Sequence, residues 1–465
     1  VAAAEGSHVA RGHVGSTAFR SRSAGRLSRT LRMDGALYEA LGVEAPAVDW
    51  SSGKPVAKGP GRQNDALVTV PTSLKLDEKH LRGNVVGSFI EGWPMQAGGP
   101  AAVALAMLHE TFLGDSSPWA MYLKSLPGPG DPALDVPLVW PEEDQEELAR
   151  SSTTDLKGLR AAIAEDHAWL QANAFAAAPD LFPPELYSLE RYTWAHAVAL
   201  SRGVVVDGAL AVVPGISEAR RVSAGSGRAN VEVQARATGG LFSARKESLC
   251  LAATAAVVAG DDLALGVDES PAELLLNYGV PPVDAPCECV LRFGVSPNDP
   301  LAGDKTVVLE DMAGLSANQM WTIRSGNVDR SDLLRYMRVV QLQGIDAFIL
   351  EAVFINDVWD YHLAEPFSRE NEDRAVDEVI RACAENLQKF AGNEQEDAML
   401  GADPASSRKA ALAALRMRER AALRDTMHWF QAEKEGNSGK EYYQERRLRE
   451  LNLDRPVDPE EIVPG

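Results

Sequence analysis

Gly203-Val204-Val205-Val206 and Ala209-Leu210-Ala211-Val212-Val213 are two short, Val-rich apolar runs with turn residues between them. Such runs read as strands rather than as helix. Val231-Glu232-Val233 and Ala255-Ala256-Val257-Val258 repeat the pattern downstream, and Ala66-Leu67-Val68-Thr69-Val70-Pro71, closed by its proline, starts it upstream. Strands this short, in this order, predict a compact and irregular β unit.

Around that unit the period changes. Residues 100–113 and 142–174 carry apolar side chains at helical spacing, interrupted by a Pro/Gly-rich stretch over 127–137. A short helix is expected within 34–49, and loops over 51–55 and 58–61, where glycine and proline are dense. Beyond Asp332, Val376, Val379, Ile380, Cys383, Leu387 and Phe390 form one helical stripe. Leu412, Leu415, Leu423, Met427 and Phe430 continue the logic after a cap at Ser406 or Ser407. The fold class is therefore α+β: an irregular β domain with a helical insert, followed by an all-α C-terminal domain.

At 465 residues the chain is long enough for two or three packed units. Hydrophobic residues at 45% and charged residues at 24% describe a globular chain, and no apolar run reaches the roughly eighteen residues of a membrane span. The net charge of -21 repels a phosphate backbone, so nucleic acid is excluded except through a local basic patch. One such patch exists. Residues 7–33 hold no acid but do hold Arg11, Arg20, Arg22, Arg26, Arg29 and Arg32 among Ser, Gly and Ala, the composition of an organellar transit segment or its remnant. The opening Val fits a trimmed start.

Cys250, Cys287, Cys289 and Cys383 form no CxxC pair. Cys287 and Cys289 would share one face of a strand without zinc-knuckle geometry, and all four read as reduced structural thiols. His196 and His428 have no metal-ligand spacing to Cys, Asp or Glu and read as satisfied structural residues, so no metal is expected.

Several separated segments then carry a resemblance. Leu333-Leu334-Arg335-Tyr336-Met337-Arg338-Val339-Val340, Gly344-Ile345-Asp346-Ala347-Phe348-Ile349-Leu350-Glu351, Ser368-Arg369-Glu370-Asn371-Glu372 and Glu441-Tyr442-Tyr443-Gln444-Glu445-Arg446-Arg447-Leu448 resemble the substrate-binding half of the plant Rubisco large-subunit lysine methyltransferase family. Trp119, Tyr122 and Trp140 look like that family's helical insert. Tyr192-Thr193-Trp194-Ala195, Ser201-Arg202, Gly240-Leu241-Phe242-Ser243 and Ala272-Glu273-Leu274-Leu275-Leu276-Asn277-Tyr278-Gly279 track its SET core in order. The resemblance spans roughly residues 50–453. It implies a basic arm and short helix over 1–48, a SET-like domain over 49–310 with its insert at about 80–190, and a helical substrate-binding-like domain over 311–465.

The family implies transfer of a methyl group from S-adenosylmethionine to a lysine of a chloroplast protein, such as the Rubisco large subunit or an aldolase. That chemistry needs the sulfonium methyl held in line with a deprotonated amine. By resemblance, Tyr278 would orient the amine and Arg202 would contact the donor carboxylate. The bland alternatives are a core tyrosine with a satisfied hydroxyl and an arginine paired to a nearby acid.

Elsewhere this chain departs from the family's donor motifs. Ser51-Ser52-Gly53-Lys54-Pro55 keeps one glycine where two are expected, and Val267 follows Gly260-Asp261-Asp262 where a tyrosine is expected. Gly215-Ile216-Ser217-Glu218-Ala219-Arg220-Arg221-Val222-Ser223 lacks the Asn-His pair and places arginine near a cationic sulfonium. The expectation is a noncatalytic SET-fold protein with no cofactor, a protein-binding or structural subunit of a plastid assembly. The alternative is an active protein-lysine N-methyltransferase using S-adenosylmethionine. Expected partners are other proteins, and the expected location is the chloroplast.

Overall fold

The structure is a computed structural model that describes residues 34–238, 246–283, 285–326 and 330–451. The basic stretch at 7–33 and the segment Gly240-Leu241-Phe242-Ser243 lie outside those residues.

The Asp34 carboxylate accepts a hydrogen bond from Leu37 N and so starts α1 (Gly35–Ala40). After a two-residue antiparallel pair, Val48–Asp49 with Val56–Ala57, come β1 (Ala66–Pro71), β2 (Leu76–Asp77), β3 (Val204–Val206), β4 (Ala209–Val212), β5 (Arg220–Ser223), β6 (Val231–Thr238), β7 (Lys246–Ala253) and β8 (Ala264–Val267). One sheet has the order β1-β7-β6-β8-β5, antiparallel except that β8 runs parallel to both β6 and β5. A smaller sheet orders β2-β4-β3. Val68, Val70, Leu251, Val213 and Ile216 fill the core beneath them.

Residues 255–258 are not a strand. The ladder between β6 and β7 ends at Val231 opposite Ala253, so the apolar run beyond has no partner, and Val257 makes only an isolated bridge to Gly61. Helical spacing over 142–174 resolves into two helices, Glu142–Ala149 and Leu156–Leu170, with the second capped by Asp155.

The insert is built around α2 (Gly99–Leu113), in which every residue from Ala101 to Glu110 is buried. A helix apolar all round belongs inside a core, and each of Leu105, Met107 and Leu108 contributes about 1.5–3 kcal/mol by leaving water. It packs on α3 (Leu189–Arg202), whose N-cap Ser188 and buried Tyr192, Trp194 and Val198 set its start and inner face. The short helix α4 (Pro271–Tyr278) opens with a capping box between Ser270 and Glu273.

The C-terminal half joins an antiparallel pair, β9 (Glu288–Gly294) and β10 (Asn318–Arg324), to α5 (Ser331–Val340), α6 (Arg369–Lys389) and α7 (Arg408–Gly436). Ser407 is the N-cap of α7. Cys289, Phe293, Tyr336, Val379 and Phe430 lie in one core. Cys287 falls before β9 and is exposed while Cys289 is buried, so the two do not share a face.

The helix α7 belongs to both halves. Its Leu412 and Leu415 pack into the core of the insert, and its Leu423 and Phe430 into the C-terminal core. Polar groups follow the same seam. Arg408 binds Asp135 and Asp144, each at 2.7 Å, and Arg416 binds Glu147 at 2.7 Å together with Asp397.

His196 is fully buried in α3 with no hydrogen-bond partner at either ring nitrogen, and burial pushes its pKa down to about 4. It is structural as expected but not satisfied, and it stays neutral.

Candidate functional site

Backbone hydrogen bonds bring the departing motifs together. Leu263 N donates to Pro55 O, and Arg220 N donates to Leu263 O, so the loop at 51–55, the entry to β8 and the start of β5 lie side by side. Gly53 takes a φ of 73°, which suits glycine. Val267 at the end of β8 pairs with Ser223, two positions along from the pairing of Leu265 with Arg221.

Between β4 and β5 the chain dives inward, and residues 211–219 are all buried. Within this apolar turn sits Glu218, 4% exposed. Its carboxylate accepts from the Tyr122 hydroxyl at 2.8 Å and from Gly215 N at 2.7 Å, and lies 3.6 Å from the Arg202 guanidinium. Arg202 therefore ends α3 held toward a buried acid. Burial, with Glu218 adding to it, drives the Tyr122 pKa well above its ordinary value, so that hydroxyl remains a donor.

The two arginines of β5 part company. Arg220 points outward to Asp262 at 3.2 Å. Arg221 turns inward and is 4% exposed. One of its terminal nitrogens donates to Ala219 O at 2.5 Å, and the other to Gly203 O at 2.9 Å, with Arg202 O at 3.4 Å and Ser217 O at 3.5 Å. The guanidinium carbon lies 5.4 Å from the centre of the Tyr278 ring, within cation–π range. Burial lowers the Arg221 pKa from its ordinary value.

Tyr278 is the last residue of α4, and its hydroxyl donates to Glu269 at 3.2 Å, while Asn277 binds the other oxygen of that carboxylate at 3.0 Å. Burial, followed by the charge of Glu269, pushes the Tyr278 pKa up to about 12. Burial likewise raises that of Glu269. Gly279 ends the helix with a φ of 66°, and a Cβ there would come within 2.1 Å of Asp135 O. Only glycine makes this turn, which fixes where Tyr278 points.

Arg221 stands between the other two, with a terminal nitrogen 3.4 Å from Arg202 O and its guanidinium carbon 5.4 Å from the Tyr278 ring centre. Tyr278 meets the satisfied-hydroxyl alternative and Arg202 the paired-acid alternative. Sequence reading missed Glu218, Glu269 and Tyr122. A lone acid in the apolar stretch Val212-Val213-Pro214-Gly215-Ile216-Ser217-Glu218-Ala219 was the available signal. Among the described residues no group of acids, histidines and cysteines could hold a metal ion.

A small β domain carrying a buried polar site, joined to a helical domain by one shared helix, defines the class: a SET fold with a substrate-binding-type C-terminal domain. Residues 296–423 match the family model described as Rubisco LSMT substrate-binding. The chloroplastic ribulose-1,5-bisphosphate carboxylase/oxygenase large subunit N-methyltransferase of Pisum sativum is 27% identical over 432 residues, covering 91% of this chain and 85% of that protein. The chloroplastic [fructose-bisphosphate aldolase]-lysine N-methyltransferase of Arabidopsis thaliana is 27% identical over 431 residues, 90% of this chain and 86% of that one. A crystal structure of the SET domain of LSMT bound to lysine and AdoHcy superposes with a TM-score of 0.74 at 25% identity, covering 93% of this chain and 98% of that chain. Over about nine-tenths of its length the chain is thus similar to proteins of the Rubisco large-subunit lysine methyltransferase family, and the relatives named here are chloroplastic. The expectation of no cofactor gains no support from this comparison, because the structural neighbour holds AdoHcy.

Proposed function

We propose that this chain engages a lysine-bearing segment of a chloroplast protein as an S-adenosylmethionine-dependent protein-lysine N-methyltransferase. The observation that supports it best is the held tyrosine. Glu269 fixes the Tyr278 hydroxyl at 3.2 Å at the end of a capped helix, in a fold that follows the lysine- and AdoHcy-bound LSMT domain over 93% of the chain. With its pKa pushed up to about 12, the hydroxyl stays protonated at neutral pH, and with that proton given to Glu269 its oxygen can accept from an amine N–H and hold the amine in place. A buried setting also disfavours the ammonium form of a lysine and so favours the nucleophilic amine. The natural substrates of the named relatives make Rubisco large subunit and aldolase the first proteins to try.

A donor seated beside Tyr278 would meet a second cation there. S-adenosylmethionine supplies a methyl group on a positively charged sulfur, and the Arg221 guanidinium already lies buried over the Tyr278 ring. Two cations in one low-dielectric space repel. This observation favours a second reading, a noncatalytic SET-fold protein that binds a plastid partner through its C-terminal half.

The deciding experiment mixes the purified protein and labelled S-adenosylmethionine with chloroplast extract, Rubisco and aldolase. Methyl label on a lysine, lost in Tyr278→Phe, is the expected result. No label, with no heat of donor binding at millimolar concentration, would leave the noncatalytic reading in its place.

A further inference from the structure

We propose that Arg221 is a built-in occupant of a cation site, and that without its side chain the same site takes up an external sulfonium ligand. The proposal rests on the donor region being the one formed by Arg202, Arg221 and Tyr278.

A buried arginine ordinarily sits against a carboxylate, because taking a guanidinium out of water is costly. Arg416 and Arg338 follow that rule, with Asp397 and Glu372 as their partners. Arg221 does not. Among the described residues its charge is met by the carbonyls of Ala219 and Gly203, by the more distant carbonyls of Arg202 and Ser217, and by the face of Tyr278. Two acids, Glu218 and Glu269, stand behind this ring of dipoles but are engaged with Tyr122, Arg202, Asn277 and Tyr278. Carbonyl oxygens, an aromatic face and nearby acids together select for a diffuse positive charge. The guanidinium is planar, delocalised and weakly hydrated, the protein side chain that suits such a cage best.

The cage is formed by parts that do not depend on Arg221 for their position. Gly203 follows the end of α3, Tyr278 is fixed by Gly279 and the capping box of α4, and Glu218 is held by Tyr122 and Gly215 N. Truncating Arg221 therefore leaves acceptors and an aromatic face unpartnered rather than a collapsed apolar hole. A ligand that restores the cation, such as the sulfonium of S-adenosylmethionine, gains what the side chain gained. Its neutral thioether counterpart, S-adenosylhomocysteine, does not.

The test is calorimetric titration of the full chain and of Arg221→Ala and Arg221→Asn with S-adenosylmethionine and S-adenosylhomocysteine, with near-ultraviolet circular dichroism showing that each variant is folded. We expect the variants to bind the sulfonium at least about tenfold more tightly than the unaltered chain does, and more tightly than they bind the thioether. Arg221→Lys keeps a cation in the cage and should bind no better than the parent. Folded variants without that gain, or a parent that binds the sulfonium as well as they do, would overturn the proposal. Labelling of chloroplast proteins separates the two readings. Donor uptake by the variants without methyl transfer defeats only the enzymatic one, and methyl transfer by a parent whose affinity the variants do not change defeats only this one.

Discussion

Glu419, in the middle of α7, accepts hydrogen bonds from Ser152 Oγ at 2.5 Å and from Thr153 N at 2.7 Å, on the insert 267 and 266 residues earlier. It is a wholly buried acid, and burial, outweighing these hydrogen bonds and the charge of Lys389, pushes its pKa up to about 7 from an ordinary 4.5. The folded chain holds this proton over a pH range where the unfolded chain has released it. Stability from this group is therefore complete below about pH 4.5 and is lost as pH rises through 7, a change of roughly 3 kcal/mol. Urea melts at pH 5 and pH 8 should show the loss, and Glu419→Gln should flatten it. An unchanged slope in the variant would show that the dependence lies elsewhere.

Asp397 is 1% exposed and binds both Arg416 and Arg420. Burial alone would raise its pKa, but the two guanidinium bonds outweigh it and hold the carboxyl below its ordinary value. Asp397→Ala leaves the largely buried Arg420 with carbonyl acceptors and Arg416 with Glu147 and Ser151, and should cost about 3–5 kcal/mol, read as a large drop in melting temperature. A shift of a degree or two would mean that water reaches the pair.

Gly279→Ala combines a φ of 66° with a Cβ contact of 2.1 Å to the Asp135 carbonyl. A loss of about 2 kcal/mol or more is expected. Because the clash moves the end of α4, Tyr278 should move with it, visible as altered near-ultraviolet circular dichroism at temperatures where the chain is still folded.

Tyr278→Phe removes one hydroxyl whose partner, Glu269, keeps its bond to Asn277. Stability should fall by only about 1 kcal/mol. Lysine methylation, measured as label incorporation, should fall by at least about a hundredfold. A variant that methylates normally would remove Tyr278 from the reacting groups.

How much of this was legible beforehand depended on the range of the interaction. The β1 strand, the Ser407 cap, the helix at 99–113 and the stripe of α6 are written in neighbouring residues, because capping and burial periodicity act within a few positions. The strand expected at 255–258 failed for a long-range reason: a β-branched run needs a partner, and the β6 ladder had ended.

The sequence by itself determined the α+β class and the resemblance to the methyltransferase family, and it put an arginine at position 221, in a stretch where that resemblance leads one to expect an Asn-His pair. Only the tertiary structure decided that Arg221 rather than Arg220 turns inward, that its charge rests on carbonyls and the Tyr278 ring, and that Glu218 and Glu269 stand behind it. The reason is physical. The cost of burying a charge depends on every dipole within a few ångströms, and those dipoles come from α3, α4 and β5, which sequence order keeps apart.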